Sequence, residues 1–407
     1  MKRAITVSGE PIDDATILVR GGKIVAIGKI VDVPKGARRL EYGELTAMPG
    51  LVLAVSRAGY AMRSMPQGAA TRGKDGIDPE AEIYDWAAKA GITTMAIVPV
   101  GTGIVGQATV IRPRGKTVDE MIKKEDAYLF STFEMGTPAK DNFRQSFERA
   151  RDAMEQFEKV QKDAAASQPA QPQPSGAPAG PPASAPAGGP ASQPATRPGG
   201  APAGPPKLDP KIEPLVKVLK KEKKLVTQLG AAGGGGFGGA SGVAAPAAEV
   251  VHYQDAMKKF DIDRIFTGGA NLALVVDRLK ELKVTVLMPT EETSFEPYTR
   301  IRLNGAEELH RAGIKVGFLP NGESRDAYQH WLYKTGQMVK MGFPEKEALR
   351  AITLIPAEYL GMGDQVGSLA TGREADILFI DGAPFDASTK VVHVMIGGEM
   401  LEEGDKQ

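Results

Sequence analysis

Along the middle of this chain, continuous apolar runs of strand length alternate with stretches of helical periodicity. Leu51 to Val55, Ile92 to Pro99, Ala127 to Phe133, Leu225 to Leu229, Asp263 to Thr267, Val284 to Pro289 and Ile314 to Leu319 read as strands covered on both faces. Between them, apolar residues at helical spacing predict helices over Pro79 to Ala90, Lys140 to Lys162, Ile212 to Lys223, Val250 to Phe260, Asn271 to Leu282 and Leu303 to Ala312. Two further helices are predicted over Asp326 to Met341 and Glu345 to Leu354. Gly91 and Gly313 fall where C-caps belong. Strand-helix alternation of this kind predicts an α/β core with a parallel sheet.

The two chain ends carry a different pattern. Ala4 to Val7, Thr16 to Val19 and Lys23 to Ile27 cluster β-formers between Gly, Pro and Asp, and so do Ala375 to Ile380, Val391 to Ile396 and Glu399 to Leu401. Small-sheet strands at both ends of a long α/β middle predict one β-sandwich built jointly from residues 1–48 and 363–407, with the middle occupying 49–362. Two stretches interrupt that middle. Residues 164–206 and 231–248 are Ala, Pro, Gly, Ser and Gln with almost no bulky side chains, too little apolar surface to offset an ordering entropy of roughly 1–2 kcal/mol per residue. They are expected to be disordered inserts.

Composition narrows the partners. Of 407 residues, 42% are hydrophobic and 25% charged, and the 50 basic residues balance the 50 acidic ones. No global field steers the molecule toward nucleic acid or an acidic membrane, so neither is expected as a partner. Cysteine is absent, which removes disulfides, thiolate metal sites and a Cys nucleophile. Residues 1–14 lack the apolar core of a signal peptide, and no run of about 18 apolar residues occurs. A cytoplasmic chain is expected, or a periplasmic one if Met1 is an interior point of a longer precursor.

Gly101-Thr102-Gly103-Ile104-Val105-Gly106 follows a strand and matches half of the dinucleotide fingerprint. Gln107 to Pro113 is β-like and ends in proline, so no helix N-terminus is offered to a pyrophosphate, and the glycines read as a hairpin turn. The run Gly233 to Gly239 lacks a following Lys-Ser or Lys-Thr pair and reads as part of the second insert.

Three stretches carry a family resemblance: PGLVLAVSRAG from Pro49, GITTMAIVPVGTGIVGQATVIRPRGKTVDEMI from Gly91, and EALRAITLIPAEYLGMGDQVGSLATGREADILFIDGAPF from Glu347. Together they resemble the imidazolonepropionase-like branch of the amidohydrolase superfamily. The resemblance implies a TIM-like (β/α)8 barrel beside the composite β-sandwich, and hydrolysis of cyclic amides, dipeptides and related carbon-nitrogen bonds by zinc or a similar divalent metal. Such a centre lowers the pKa of bound water from about 15.7 to about 7, worth about 12 kcal/mol of hydroxide availability. The implied ligand and base positions are substituted here. The His-x-His pair falls on Val55 and Arg57, a later histidine falls near Gln228 or Gly230, and the catalytic aspartate falls on Asn321. No resident cofactor is therefore expected.

His252, His310, His330 and His393 are the only histidines. The last three sit on predicted helices or in the terminal sheet and read as surface or packing residues, whereas His252 follows the glycine-rich insert near a strand end. Glu291 and Glu292 after Pro289, and Glu323 after Asn321, lie in loops expected to line the barrel mouth. With Arg57, His252, Glu291, Glu323 and Asn321 as candidate pocket residues, Arg57 either pairs with Glu291, Glu292 or Glu323 or turns outward into solvent. Three functions stay open: a catalytically degenerate protein that binds a small molecule or pairs with a homologous domain or a second copy, an active hydrolase with a rearranged site, and a structural module.

Overall fold

In the computed structural model the described residues are 1–61, 67–166, 207–230, 245–290, 294–295 and 302–401, and they form a mixed α/β fold. Both chain ends contribute to one six-stranded sheet, in the order Ile12–Asp13, Arg3–Ala4, Thr46–Pro49, Ile377–Ile380, Val391–Ile396, Glu399–Met400. Thr46–Pro49 is its centre, parallel to Arg3–Ala4 and antiparallel to Ile377–Ile380 with Ala47 opposite Phe379. The hairpin Thr16–Arg20 with Lys23–Gly28 shares a small core with this sheet through Ala4, Ile24, Ala47, Ile377 and Phe379. The first strand is shorter than the Ala4 to Val7 pattern predicts, because Val7 takes φ 66, which no strand accommodates.

All six residues of Leu51–Ser56 are buried, as a strand covered on both faces requires. It runs parallel to Ile92–Ile97, which pairs antiparallel with Thr109–Ile111, so the glycine-rich segment between them serves as the predicted return. A second six-stranded sheet holds Leu129–Thr132, Leu225–Gln228, Arg264–Thr267, Thr285–Pro289 and Val316–Leu319 as consecutive parallel neighbours, with Ile104–Gln107 antiparallel at one edge. Only Ala108 separates Ile104–Gln107 from Thr109–Ile111, so one bent stretch of chain belongs to both sheets. At the opposite edge Val316–Leu319 packs beside Leu51–Ser56.

The helices follow the apolar spacing with shifted ends. Glu82–Lys89 buries Tyr84, Ala87 and Ala88 and stops before Gly91, where φ is +92 and a Cβ would meet Leu378 at 2.7 Å. Thr137–Ala166 presents Phe143 and Phe147 to Phe133, Tyr253 and Phe260. That helix continues to Ala166, and the helix Ala245–Met257 begins before the second insert's expected end, so both reach into the segments expected to be disordered, of which 167–206 and 231–244 lie outside the described residues. The stretch predicted as one helix over Asp326 to Met341 is broken at His330, whose φ −93 and ψ 0 are not helical. Asn271 to Leu282 is likewise divided, into the 3-10 turn Ala270–Val275 and the helix Val276–Glu281. No helix among the described residues is long and apolar enough to cross a membrane.

Candidate functional site

Parallel pairing sets the carboxyl ends of Leu129–Thr132, Leu225–Gln228 and Val316–Leu319 on one side of their sheet, and Arg57, the first residue beyond Leu51–Ser56, reaches that side. Its side chain crosses to another strand, Nη2 donating to Gln228 Oε1 at 2.9 Å, with Cζ 5.5 Å from the centre of the Phe130 ring. Its backbone N–H donates to Glu323 Oε1 at 2.6 Å. The turn that aims Arg57 is itself braced. Ala58 N–H donates to Ser56 Oγ at 3.0 Å, and Tyr84 Oη donates to the Ala58 carbonyl at 3.1 Å. Tyr128 Oη, one residue ahead of Leu129–Thr132, donates to the Ala54 carbonyl at 2.7 Å.

Burial shapes the electrostatics of this group. Desolvation lowers the pKa of the Arg57 guanidinium, and the charge of Glu323 opposes that shift. Desolvation raises the Glu323 carboxyl, against hydrogen bonds from the Arg57 and Ala58 amides and the Ser56 hydroxyl and against the Arg57 charge. The hydroxyls of Tyr84 and Tyr328 are pushed up, first by burial and further by the neighbouring carboxylate of Glu323. Arg57 and Glu323 therefore act as one charge-compensated unit, with the guanidinium reaching toward Gln228 and the carboxylate holding the turn.

The residues at the implied ligand positions do not suit a divalent cation. Val55 is buried hydrocarbon that, with Leu53, Leu319, Pro320, Gly322 and Glu323, lines a void of about 10 Å³, room for one water at most. Gln228 Oε1 is already an acceptor for Arg57, and Asn321 is exposed. A doubly charged ion about 4 Å from the guanidinium would be repelled on the order of 8 kcal/mol at an effective dielectric of about 20. Among the described residues no group of three or more His, Asp or Glu is arranged to hold a metal.

Of the candidate pocket residues, Arg57 and Glu323 are brought together and Asn321 is not, because Gly322 at φ +109 turns the chain between them. His252 is exposed on Ala245–Met257, the helix that buries Glu249, Val250 and Tyr253. Glu291 and Glu292 lie outside the described residues. The other histidines have packing or surface roles: His310 against Phe343, His330 with Asp326, and His393 against Tyr42.

Sequence reasoning missed the tyrosines and Glu249. Glu249 is 1% exposed; its Oε2 accepts the N–H of Gly230, two residues beyond Gln228, and burial pushes its carboxyl up to about 7, with the charge of Glu134 adding to the shift. An acidic residue beside two valines in PAAEVV was the available signal. The glycine-rich turn forms one wall of a cleft of about 400 Å³ with Gln67, Thr132, Glu134 and Phe143. Two of its amides are taken by side chains, Thr102 N–H by Gln67 Oε1 at 3.1 Å and Gly103 N–H by Thr132 Oγ1 at 2.8 Å, and a strand follows instead of a helix. A phosphate cradle needs the opposite arrangement.

Residues 211–401 match the model of the amidohydrolase family. Over 117 residues the chain is 26% identical to adenine deaminase 1 of Carboxydothermus hydrogenoformans, a match covering 29% of this chain and 18% of that protein. Over 70 residues it is 34% identical to the amidohydrolase tasK of Hapsidospora irregularis, covering 17% of this chain and 7% of the other. The chain thus spans less than a fifth of the length of these curated relatives. A crystal structure of an amidohydrolase from Thermotoga maritima superposes with a TM-score of 0.72 at 19% identity, over 98% of this chain and 97% of that one, so the two share a fold.

Proposed function

We propose that this chain is an amidohydrolase-like protein of the imidazolonepropionase-like branch whose metal centre has been replaced by a fixed organic cation, and that it binds a small anion at Arg57 without hydrolysing it. In this reading residues 49–362 close into a (β/α)8 barrel, with Leu51–Ser56 beside Val316–Leu319 and the shared stretch around Ala108 joining the two sheets; residues 1–48 and 363–407 form the composite domain. The observation that carries the proposal is the hydrogen bond of Arg57 Nη2 to Gln228 Oε1, which sets a permanent positive charge among the strand ends that would otherwise supply metal ligands. A guanidinium holds a carboxylate by paired, charge-assisted hydrogen bonds but does not generate hydroxide from water. The family match and the shared fold support the scaffold's descent from hydrolases of carbon-nitrogen bonds.

Two measurements test this function. Protein incubated with excess zinc and desalted is expected to retain clearly less than one equivalent, with a melting temperature indifferent to chelator. Small carboxylates such as acetate are expected to protect Arg57 from modification by phenylglyoxal, and Arg57→Ala is expected to abolish carboxylate-induced thermal shifts. One tightly held zinc equivalent, or equal thermal shifts in wild type and Arg57→Ala, would overturn it.

A further inference from the structure

Glu323 makes three kinds of contact with the same short turn. Its Oε1 accepts the Arg57 N–H at 2.6 Å, the Ala58 amide and the Ser56 hydroxyl also bond the carboxylate, and its charge acts on the guanidinium. Arg57 reaches from this turn to the end of a neighbouring strand at Gln228, so a carboxylate that holds the backbone of residues 57–58 also fixes where the guanidinium points. The hydroxyls of Tyr84 on Glu82–Lys89 and of Tyr328 on Arg325–Gln329 are the other titratable groups that its charge reaches. None of these partners carries a compensating positive charge except Arg57.

We infer that Glu323 is the positioning and charge-selecting residue of the Arg57 site: it aims the guanidinium across Phe130 to Gln228 and restricts the site to monoanions. The inference rests on the anion-binding reading of Arg57. A carboxylate tied to residue 57 meets any incoming anion with like charge, and the repulsion of a dianion is twice that of a monoanion at the same place. With Glu323 ionised, the cation and the carboxylate together are neutral, so a ligand with two negative charges gains little over one with a single charge. Orientation and selectivity thereby separate. A neutral isostere retains an oxygen for the Arg57 and Ala58 amides but removes the charge, whereas a methyl group removes both.

The experiment follows phenylglyoxal modification of Arg57 by peptide mass spectrometry in the full chain, with acetate as the monoanion and sulfate as the dianion at constant ionic strength. Wild type, Glu323→Gln and Glu323→Ala are compared, and circular dichroism and melting temperature check the fold of each. In Glu323→Gln, acetate protection is expected to persist while the sulfate-to-acetate ratio of protection rises by about tenfold or more, the effect of removing one like charge a few ångströms away. In Glu323→Ala both anions are expected to lose most of their protection because the turn is released. An unchanged ratio in Glu323→Gln, with acetate still protecting wild type, would sink this inference alone. If neither anion protects Arg57 in wild type, the binding reading itself falls and the role of Glu323 with it. Should Glu323→Ala fail to fold, the ratio in Glu323→Gln still decides the matter, since a purely structural residue would not shift it.

Discussion

Asp376 offers a sharp test of how burial at the junction of the terminal sheet and the Leu51–Ser56 strand is compensated. Its carbonyl accepts the Gly50 N–H at 3.0 Å, directly ahead of that strand, and its Oδ1 accepts the Gly397 N–H at 2.6 Å. The side chain is 3% exposed. Burial raises its carboxyl from an ordinary 3.8 to about 6, opposed by the Gly397 amide and the Arg112 charge, with Glu374 adding to the rise and Lys123 opposing it. Because the folded state holds the proton more tightly, this residue contributes stability that is present below pH 3.8 and is lost as pH rises toward about 6. The full loss is on the order of 3 kcal/mol, of which about 2 kcal/mol develops between pH 4.5 and 8. Asp376→Asn keeps an oxygen for the Gly397 amide and cannot ionise. The melting temperature of the variant minus that of wild type is therefore expected to rise by about 2–3 °C from pH 4.5 to pH 8 for a chain of this size. A difference that stays flat across this range, or falls, would refute the assignment of an uncompensated buried carboxylate.

Glu249→Gln retains an acceptor for the Gly230 N–H and is expected to remove the decline in stability that a carboxyl raised to about 7 produces as pH climbs from 4.5 toward 7; urea midpoints at pH 5 and 7.5 check the change in slope. Gly50→Ala places a methyl group 2.1 Å from Thr93 Oγ1 in a fully buried corner, and a loss of about 1–3 kcal/mol or more is expected in urea unfolding. Replacing residues 167–206, chosen for their Ala, Pro and Gly composition, by a short Gly-Ser linker is expected to leave that midpoint nearly unchanged, since loop closure changes by only about 0.6 kcal/mol per doubling of length. A drop of several kcal/mol would mean that the segment packs on the rest of the chain.

What the chain's own pattern determined was the strands of the parallel core and most helices. Leu51–Ser56 and Ile92–Ile97 are buried on both faces, and a strand in that position reads as a nearly continuous run of apolar residues with small uncharged ones, so the run is visible without the fold. The pairing of the two chain ends was legible for the same kind of reason, because short alternating strands separated by turn residues have nowhere to bury one face except against each other. Which side chains then meet was decided by tertiary structure. Arg57 and Gln228 are 171 residues apart, and Arg57 and Glu323 are 266 apart. Only the packing of the two sheets brings them together. Asn321 and Glu323 differ by two positions, and one glycine at φ +109 determines that the second faces Arg57 while the first stays exposed. Glu249 looks like a polar residue at the margin of a low-complexity insert, and becomes a buried carboxyl only because its helix lies against the end of the Leu225–Gln228 strand. Local propensity carries no information about such contacts, whose free energy depends on the solvent that distant parts of the chain exclude.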